Sequence, residues 1–285
     1  MEINSKKTFA PGLYVTATPI GNLGDITLRA LELLNAADLI ACEDKRVSAK
    51  LLSHYDIKKP LVSYHDHNAK AVTPRLIQEL NKQKIVALIS DAGTPLISDP
   101  GYKLINECHK SGIPVTSLPG ASALLCALTN AGLPTDSFLF YGFLPPKNMA
   151  RQKELEKLST LSSTLFFYES PKRLIDTLNA MHMVFGDREV AVCRELTKLY
   201  EETTRDSIKN VIAYYEEKPS VKGEVVIVVS AAGNNIDVID NLDDALQKAL
   251  ATLSVREAVA AVTYITGRKR KEVYKRALEI ANNDG

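Results

Sequence analysis

Glu43 and Asp44 follow directly on the apolar run 39–42, and Arg46 stands two residues further on. Carboxylates at the end of a buried strand can accept or deliver protons, and a neighbouring guanidinium can orient them or hold a phosphate. A second polar group, His65-Asp66-His67-Asn68, puts two imidazoles within three residues. Two further acids, Asp91 and Asp99, belong to the stretch DAGTPLISDPG at 91–101. There Asp91 suits a partner for loop amides, and Asp99, just before Pro100, suits a cap for the helix that follows.

That stretch holds two glycines and two prolines and follows the apolar run IVALIS at 85–90. Small and rigid residues beyond a buried strand let backbone groups approach a ligand directly, and open α/β sheets bind ligands at those strand ends. Two more loops share the character: TPIGNLGD at 18–25 and PGASA at 119–123. Three such loops at one sheet edge line one pocket. Neither G-x-G-x-x-G after a strand nor a phosphate-binding G-x-x-x-x-G-K-[ST] occurs, so a dinucleotide or nucleoside triphosphate finds no cradle.

Positioning these loops falls to alternating strands and helices. Strands are predicted over 13–17, 39–42, 85–90, 115–118 and 138–143, with helices over 27–35, 47–54, 73–82, 102–110 and 122–130. Strands apolar on both faces predict a mainly parallel sheet covered by helices. Pro145-Pro146-Lys147-Asn148 cannot continue a strand and reads as a linker. Beyond it, strands over 164–168, 189–194, 200–203 and 225–230, with helices over 152–158, 171–181 and 208–216, make a second α/β block that leaves through Gly233-Asn234-Asn235. The last ~50 residues lose the strand pattern and predict three helices over 242–253, 255–265 and 272–280, with a turn at Thr266-Gly267. Ser254 and Glu257 have capping-box spacing, and the arrangement suggests a helix-turn-helix module. The expected layout is a tail 1–11, an α/β domain 12–144, a second α/β domain 145–235 and a helical module 236–285.

Composition narrows the classes. The chain has 285 residues, 45% hydrophobic and 24% charged, with formal net charge +1, as for a globular protein with no global pull toward nucleic acid. Cys42, Cys108, Cys126 and Cys193 form no C-x-x-C pair, which argues against a zinc site or a disulfide framework. No metal is expected. Residues 1–8 lack a signal-like apolar core and no run of about 18 apolar residues occurs, so no membrane span is expected and the cytoplasm is the default location.

The segments TPIGNLGD, EDKR, YHDHN, SDAGTPLISDPG, LPGASA, YGFLP, FYESPKR and KGEVVIVV, in that order, resemble the tetrapyrrole-methylase superfamily. More narrowly they are similar to its 16S rRNA (cytidine-2′-O) methyltransferase branch, with Lys45 a departure where the branch favours Thr. The resemblance implies two α/β domains with S-adenosylmethionine in the cleft between them, and a homodimer. It implies cofactor contacts from Pro19, Ala92, Gly93, Thr94, Ile97, Ser98, Ala121 and Ser122. From the second domain it implies Tyr168, Glu169, Leu196, Thr197, Gly223 and Glu224. A ribose hydroxyl is a weak nucleophile, so Glu43 or Asp44 becomes a candidate base and Arg46 its orienting or phosphate-binding cation. The implied partner is 16S rRNA or the assembled small ribosomal subunit, touched by Lys147, Arg151, Lys172, Arg173 and the run Arg268-Lys269-Arg270-Lys271. Two other readings stay open: a carbon methyltransferase acting on a tetrapyrrole precursor, and a non-catalytic ligand sensor whose tail binds nucleic acid.

Overall fold

The structure is a computed structural model that describes residues 9–232, 242–250, 253–266 and 269–283. Gly233–Asn235, Gly267 and Arg268 lie outside them. The chain divides into two compact units, a body (residues up to 158 and 164–230) and a smaller unit (159–163 and 231 onward).

The body opens with β1 (Gly12–Thr16), α1 (Leu28–Ala36), β2 (Leu39–Cys42), α2 (Lys45–His54), β3 (Leu61–Ser63), α3 (Ala69–Asn81), β4 (Ile85–Ile89), α4 (Tyr102–Lys110), β5 (Val115–Leu118) and α5 (Ala123–Ala131). These five strands form one sheet, ordered β3-β2-β4-β1-β5, with every pairing parallel. Side chains alternate across a sheet, and here both faces are buried. Leu13, Val15, Ala41, Val86 and Leu88 pack on one face, and Tyr14, Ile40, Cys42, Ala87 and Ile89 on the other. That double burial explains the unbroken apolar runs.

Next come β6 (Phe138–Phe143), α6 (Asn148–Leu158), β7 (Thr164–Glu169), α7 (Leu174–Phe185), β8 (Glu189–Arg194), β9 (Glu202–Ser207), α8 (Ile208–Glu216) and β10 (Val225–Val229). They build a second sheet, ordered β6-β7-β10-β8-β9. Only β6 with β7 is parallel there, and the remaining pairings are antiparallel. A run such as VVIVV reads the same in either direction; the short β8–β9 connection forces the reversal. Strand β6 hydrogen-bonds in the second sheet, so the change of sheet falls between Leu118 and Phe138, upstream of the Pro145 stretch. Helix α5 already packs on the second sheet, with Leu124, Ala127 and Ala131 against Phe166, Ala191, Cys193 and Val228.

Three local differences have plain causes. Strand β3 is a three-residue edge, too short to show a period. Helix α3 begins four residues before Thr73 and carries Pro74 inside it, where a first-turn proline is the commoner arrangement. Strand β9, ETTRDS, is a polar edge strand and so escapes an apolar pattern.

The second unit contains α9 (Leu242–Leu250), α10 (Val255–Thr266) and α11 (Arg270–Asn283) around Leu246, Val259, Val262, Val273 and Ala277. The capping box forms as its spacing requires: Ser254 N–H donates to Glu257 Oε2 at 3.1 Å and Glu257 N–H to Ser254 Oγ at 3.4 Å. Arg276 is held by Asp243 and Glu279, each at 2.6 Å.

Candidate functional site

The three glycine-bearing loops are stapled to one another beyond β1, β4 and β5. Thr18 and Gly93 exchange two backbone hydrogen bonds of 2.9 Å. The Thr18 hydroxyl donates to the Ser90 carbonyl at 3.1 Å, and the Ser90 hydroxyl to the Gly93 carbonyl at 3.0 Å. Thr94 Oγ1 then donates to the Ala121 carbonyl at 3.0 Å, tying in the third loop. Gly93 has φ +74°, and a Cβ there would sit 3.2 Å from the Ile20 side chain. Glycine serves both needs.

From the second sheet, the turn after β8 meets the approach to β10. Glu195 N–H donates to the Glu224 carbonyl at 2.9 Å, and Glu224 N–H to Glu195 Oε1 at 3.0 Å. Lys198 bonds the Glu195 carboxylate at 2.7 Å and holds its pKa below the usual carboxylate range. Gly223 has φ +93°, and a Cβ would lie 2.3 Å from the Glu195 side chain, so any other residue would strain the backbone and displace Glu195. Leu96, Ser98, Glu195 and Thr197 all have positive φ between 52° and 74°. Left-handed backbone is costly for residues with a side chain, and it clusters where a ligand needs an unusual surface.

These turns enclose a cavity of about 350 Å³ between the two sheets. Ile20, Ala92, Gly93, Thr94, Ile97, Ser98, Asp99, Ser122 and Ala123 line one side. Phe143, Tyr168, Glu169, Ser170, Pro171, Cys193, Leu196, Gly223, Glu224, Val225 and Val226 line the other. Among the described residues, the charged side chains in that lining are Asp99, Glu169 and Glu224, all acidic. A phosphate would meet no counter-charge. A partly apolar ligand bearing positive charge finds apolar walls, backbone groups and carboxylates.

Most residues predicted to touch a cofactor therefore lie in the lining, and Pro19, Ala121 and Thr197 stand one residue away from it. Ala121 acts through its carbonyl on Thr94, and Thr197 N–H is held by Glu201 Oε2 at 2.8 Å. Glu169 lines the cavity, yet its carboxylate is engaged elsewhere: it accepts from Ser170 N–H at 2.6 Å, Thr177 Oγ1 at 2.7 Å and Arg173 Nε at 2.7 Å. Sequence reasoning missed Ile20, Ala123, Phe143, Ser170, Pro171, Cys193, Val225 and Val226. Each is within three residues of an expected contact except Phe143, whose segment YGFLP carried the only signal.

The acidic candidates separate. Asp44 is the N-cap of α2, accepting from Arg46 N–H at 2.8 Å, and it pairs with the Arg46 guanidinium at 2.6 Å. Those bonds bring its pKa down to about 2, which makes it a weak base. Arg46 makes that pair with its side chain 88% exposed. Burial, and then the charge of Asp91, push the Glu43 carboxyl up. Asp91 accepts from Asp44 N–H at 3.0 Å, the loop-amide role its position suggests. Asp99 does not cap α4, whose N-cap is Gly101 without a side-chain bond; it lines the cavity instead. Asn68 braces its own turn, accepting from His65 N–H at 2.9 Å and donating to the Ser63 carbonyl at 3.0 Å. No group of three or more His, Cys, Asp or Glu suited to a metal occurs among the described residues.

The basic candidates also separate. Lys147 and Lys172 are exposed, as are Lys269, just before α11, and Arg270 and Lys271 in its first turn. Arg151 is a correction: it is 4% exposed and bonds Thr177 Oγ1 at 3.4 Å and Asn148 Oδ1 at 3.3 Å, so it presents no charge to an RNA. It shares the inner face of α6 with Leu155 and Leu158, at helical spacing. Arg173 is turned inward to Glu169 and the Leu144 carbonyl. No helix of the described residues is long and apolar enough to cross a membrane.

Comparison with known proteins follows the same division. The sequence model of the tetrapyrrole (corrin/porphyrin) methylases matches residues 12–212, and that of the RsmI C-terminal HTH domain matches residues 237–281. The chain is 46% identical over 276 residues to ribosomal RNA small subunit methyltransferase I of Mesorhizobium japonicum, covering 96% of this chain and 94% of that one. It is 45% identical to the Haemophilus influenzae protein of the same name, covering 92% and 95%. Uroporphyrin-III C-methyltransferase of Thermus thermophilus, complexed with S-adenosylhomocysteine, is similar in fold, with TM-score 0.53 and 18% identity over 77% of this chain and 97% of that one. Diphthine synthase is similar in fold with TM-score 0.58 and 14% identity, over 76% and 89%.

Proposed function

This chain belongs to the tetrapyrrole (corrin/porphyrin) methylases, and on that premise we propose that it methylates the ribose 2′-hydroxyl of a cytidine in 16S ribosomal RNA. The observation that carries this reading is that the likeness to proteins named as small-subunit ribosomal RNA methyltransferases runs the length of the chain, helical unit included. The segment SDAGTPLISDPG supports the narrower assignment to the cytidine-2′-O branch.

The methyl donor of the family is S-adenosylmethionine, which supplies an electrophilic methyl group on a sulfonium. The residues present suit it. Ala92 to Ser98 and Gly223 offer backbone from small or turned residues, Tyr168 and Leu196 give apolar walls, and the acidic lining favours a positive charge. The chain then aligns an acceptor oxygen with the methyl group, and much of the rate comes from that alignment. Lys147, Lys172, Lys269, Arg270 and Lys271 are the exposed cations assigned to RNA phosphates. The reading carries with it the homodimer that the family resemblance implies, and a cytoplasmic location.

The test is transfer of tritiated methyl groups to naked 16S rRNA, to assembled small subunits and to a porphyrinogen. Label recovered as 2′-O-methylcytidine from either RNA substrate is the expected result. Label on the porphyrinogen alone, or on none of the three, overturns the proposal.

A further inference from the structure

We propose that Asp99 is the catalytic residue that takes the proton from the acceptor hydroxyl during methyl transfer, a role that sequence adjacency would have given to Glu43 or Asp44. This inference rests on the reading of the chain as an O-methyltransferase.

Three acids line the donor cavity, and two of them are committed. Glu169 is bonded by Ser170, Thr177 and Arg173. The Glu224 side chain is 73% exposed and pairs with Lys198 at 3.1 Å. Asp99 has no cation among its described partners. It is fixed within the cavity wall by the left-handed turn at Ser98, φ +65°, and by Pro100. The groups that face it are Glu43 beyond β2, Asp91 and Ser90 beyond β4, and Tyr168 on β7. Burial first, and then the charge of Glu43, push the Asp99 carboxyl up to about 6, with the Ser90 hydroxyl opposing. A carboxylate so placed is ionised at neutral pH yet more basic than an exposed one.

The step balances without a further reactant. The hydroxyl oxygen forms a bond to the methyl carbon, the carbon–sulfur bond breaks, and its electron pair stays on sulfur. The hydroxyl proton goes to an Asp99 carboxylate oxygen and returns to water after product release. Asp91 and Glu43 serve as the negative surroundings that keep this carboxyl basic.

The test compares wild type with Asp99→Asn in single-turnover methyl transfer to the RNA substrate across pH 5 to 9, with S-adenosylmethionine affinity measured by calorimetry. Wild type should rise with unit slope and level off above about pH 6. Asp99→Asn should lose roughly 10²–10⁴-fold in rate and the acid limb, with donor affinity within about threefold. A variant that keeps the rate and pH profile overturns the inference. So does one that loses donor binding in step with rate, since Asp99 would then be a donor ligand. If the variant does not fold, the wild-type profile decides, and no inflection between pH 5 and 7 overturns it. Absence of any transfer by wild type sinks the broader reading instead, and the two failures are distinct.

Discussion

Replacing Glu169 tests whether the second-sheet wall of the cavity is held by a structural carboxylate or by a ligand contact. Glu169 is 3% exposed, Thr177 0%, and the Arg173 side chain 25%. Glu169→Ala leaves a buried hydroxyl and a guanidinium without their partner. Removing one member of a buried pair costs about 3–5 kcal/mol, and the partial access of Arg173 to water places the expected loss near about 3 kcal/mol. Glu169→Gln keeps the shape but replaces charge-assisted bonds with neutral ones, and its expected cost is about 1–2 kcal/mol. Guanidinium unfolding curves read these as shifts of midpoint at constant slope. For a chain of this size, the alanine variant should also melt roughly 6–12 °C lower. If Glu169→Ala unfolds within about 0.5 kcal/mol of wild type while donor affinity falls, the reasoning is refuted, and the carboxylate is a ligand contact.

Other perturbations have equally definite outcomes. Because folding raises the Asp99 pKa from 3.8 to about 6, the native state holds a proton that the unfolded chain has released, and stability falls as pH rises through that window. Discounted for partial exposure, the loss is about 1–2 kcal/mol, and Asp99→Asn should abolish it in unfolding curves taken at pH 4 and pH 7. Gly223→Ala places a methyl group against Glu195 in a left-handed backbone, and calorimetry should show S-adenosylmethionine affinity falling at least about tenfold. Replacing Lys269, Arg270 and Lys271 together with Ala should flatten the salt dependence of RNA binding by up to about 2 in log–log slope, while donor affinity stays unchanged.

The sequence carried the three central strands of the first sheet, β1, β2 and β4, because both their faces are buried and they read as apolar runs, whereas edge strand β5, VTSL, is half-exposed. Strand direction in the second sheet was not legible, since Val225–Val229 is equally apolar whichever way it runs, and only the chain's connections reverse it. The cavity loops were visible as clusters of glycine and proline, and most of their residues do line the cavity. Individual side chains were harder. Glu43 and Asp44 are neighbours in sequence, yet the start of a helix claims Asp44 as a cap while Glu43 faces Asp91. Asp99 resembles a cap by its place before Pro100, and the turn at Ser98 carries it into the cavity wall. Arg151 looked like surface charge, although its spacing from Leu155 and Leu158 placed it on the packed face of its helix. A residue type suggests what a side chain can do; a local turn or a helical phase decides where it does it.

Four of the left-handed residues, Leu96, Ser98, Glu195 and Thr197, stand in the turns around the cavity. Each holds conformational energy of about 1–3 kcal/mol that the surrounding packing must supply. The rim of the cavity is thus moulded in advance of any visitor, and a guest need not spend its own attraction on shaping the turns. Glycine at Ser98 would ease the backbone and let the mould lose its form, while at Glu195 it would also remove the carboxylate that holds Lys198 and the Glu224 N–H.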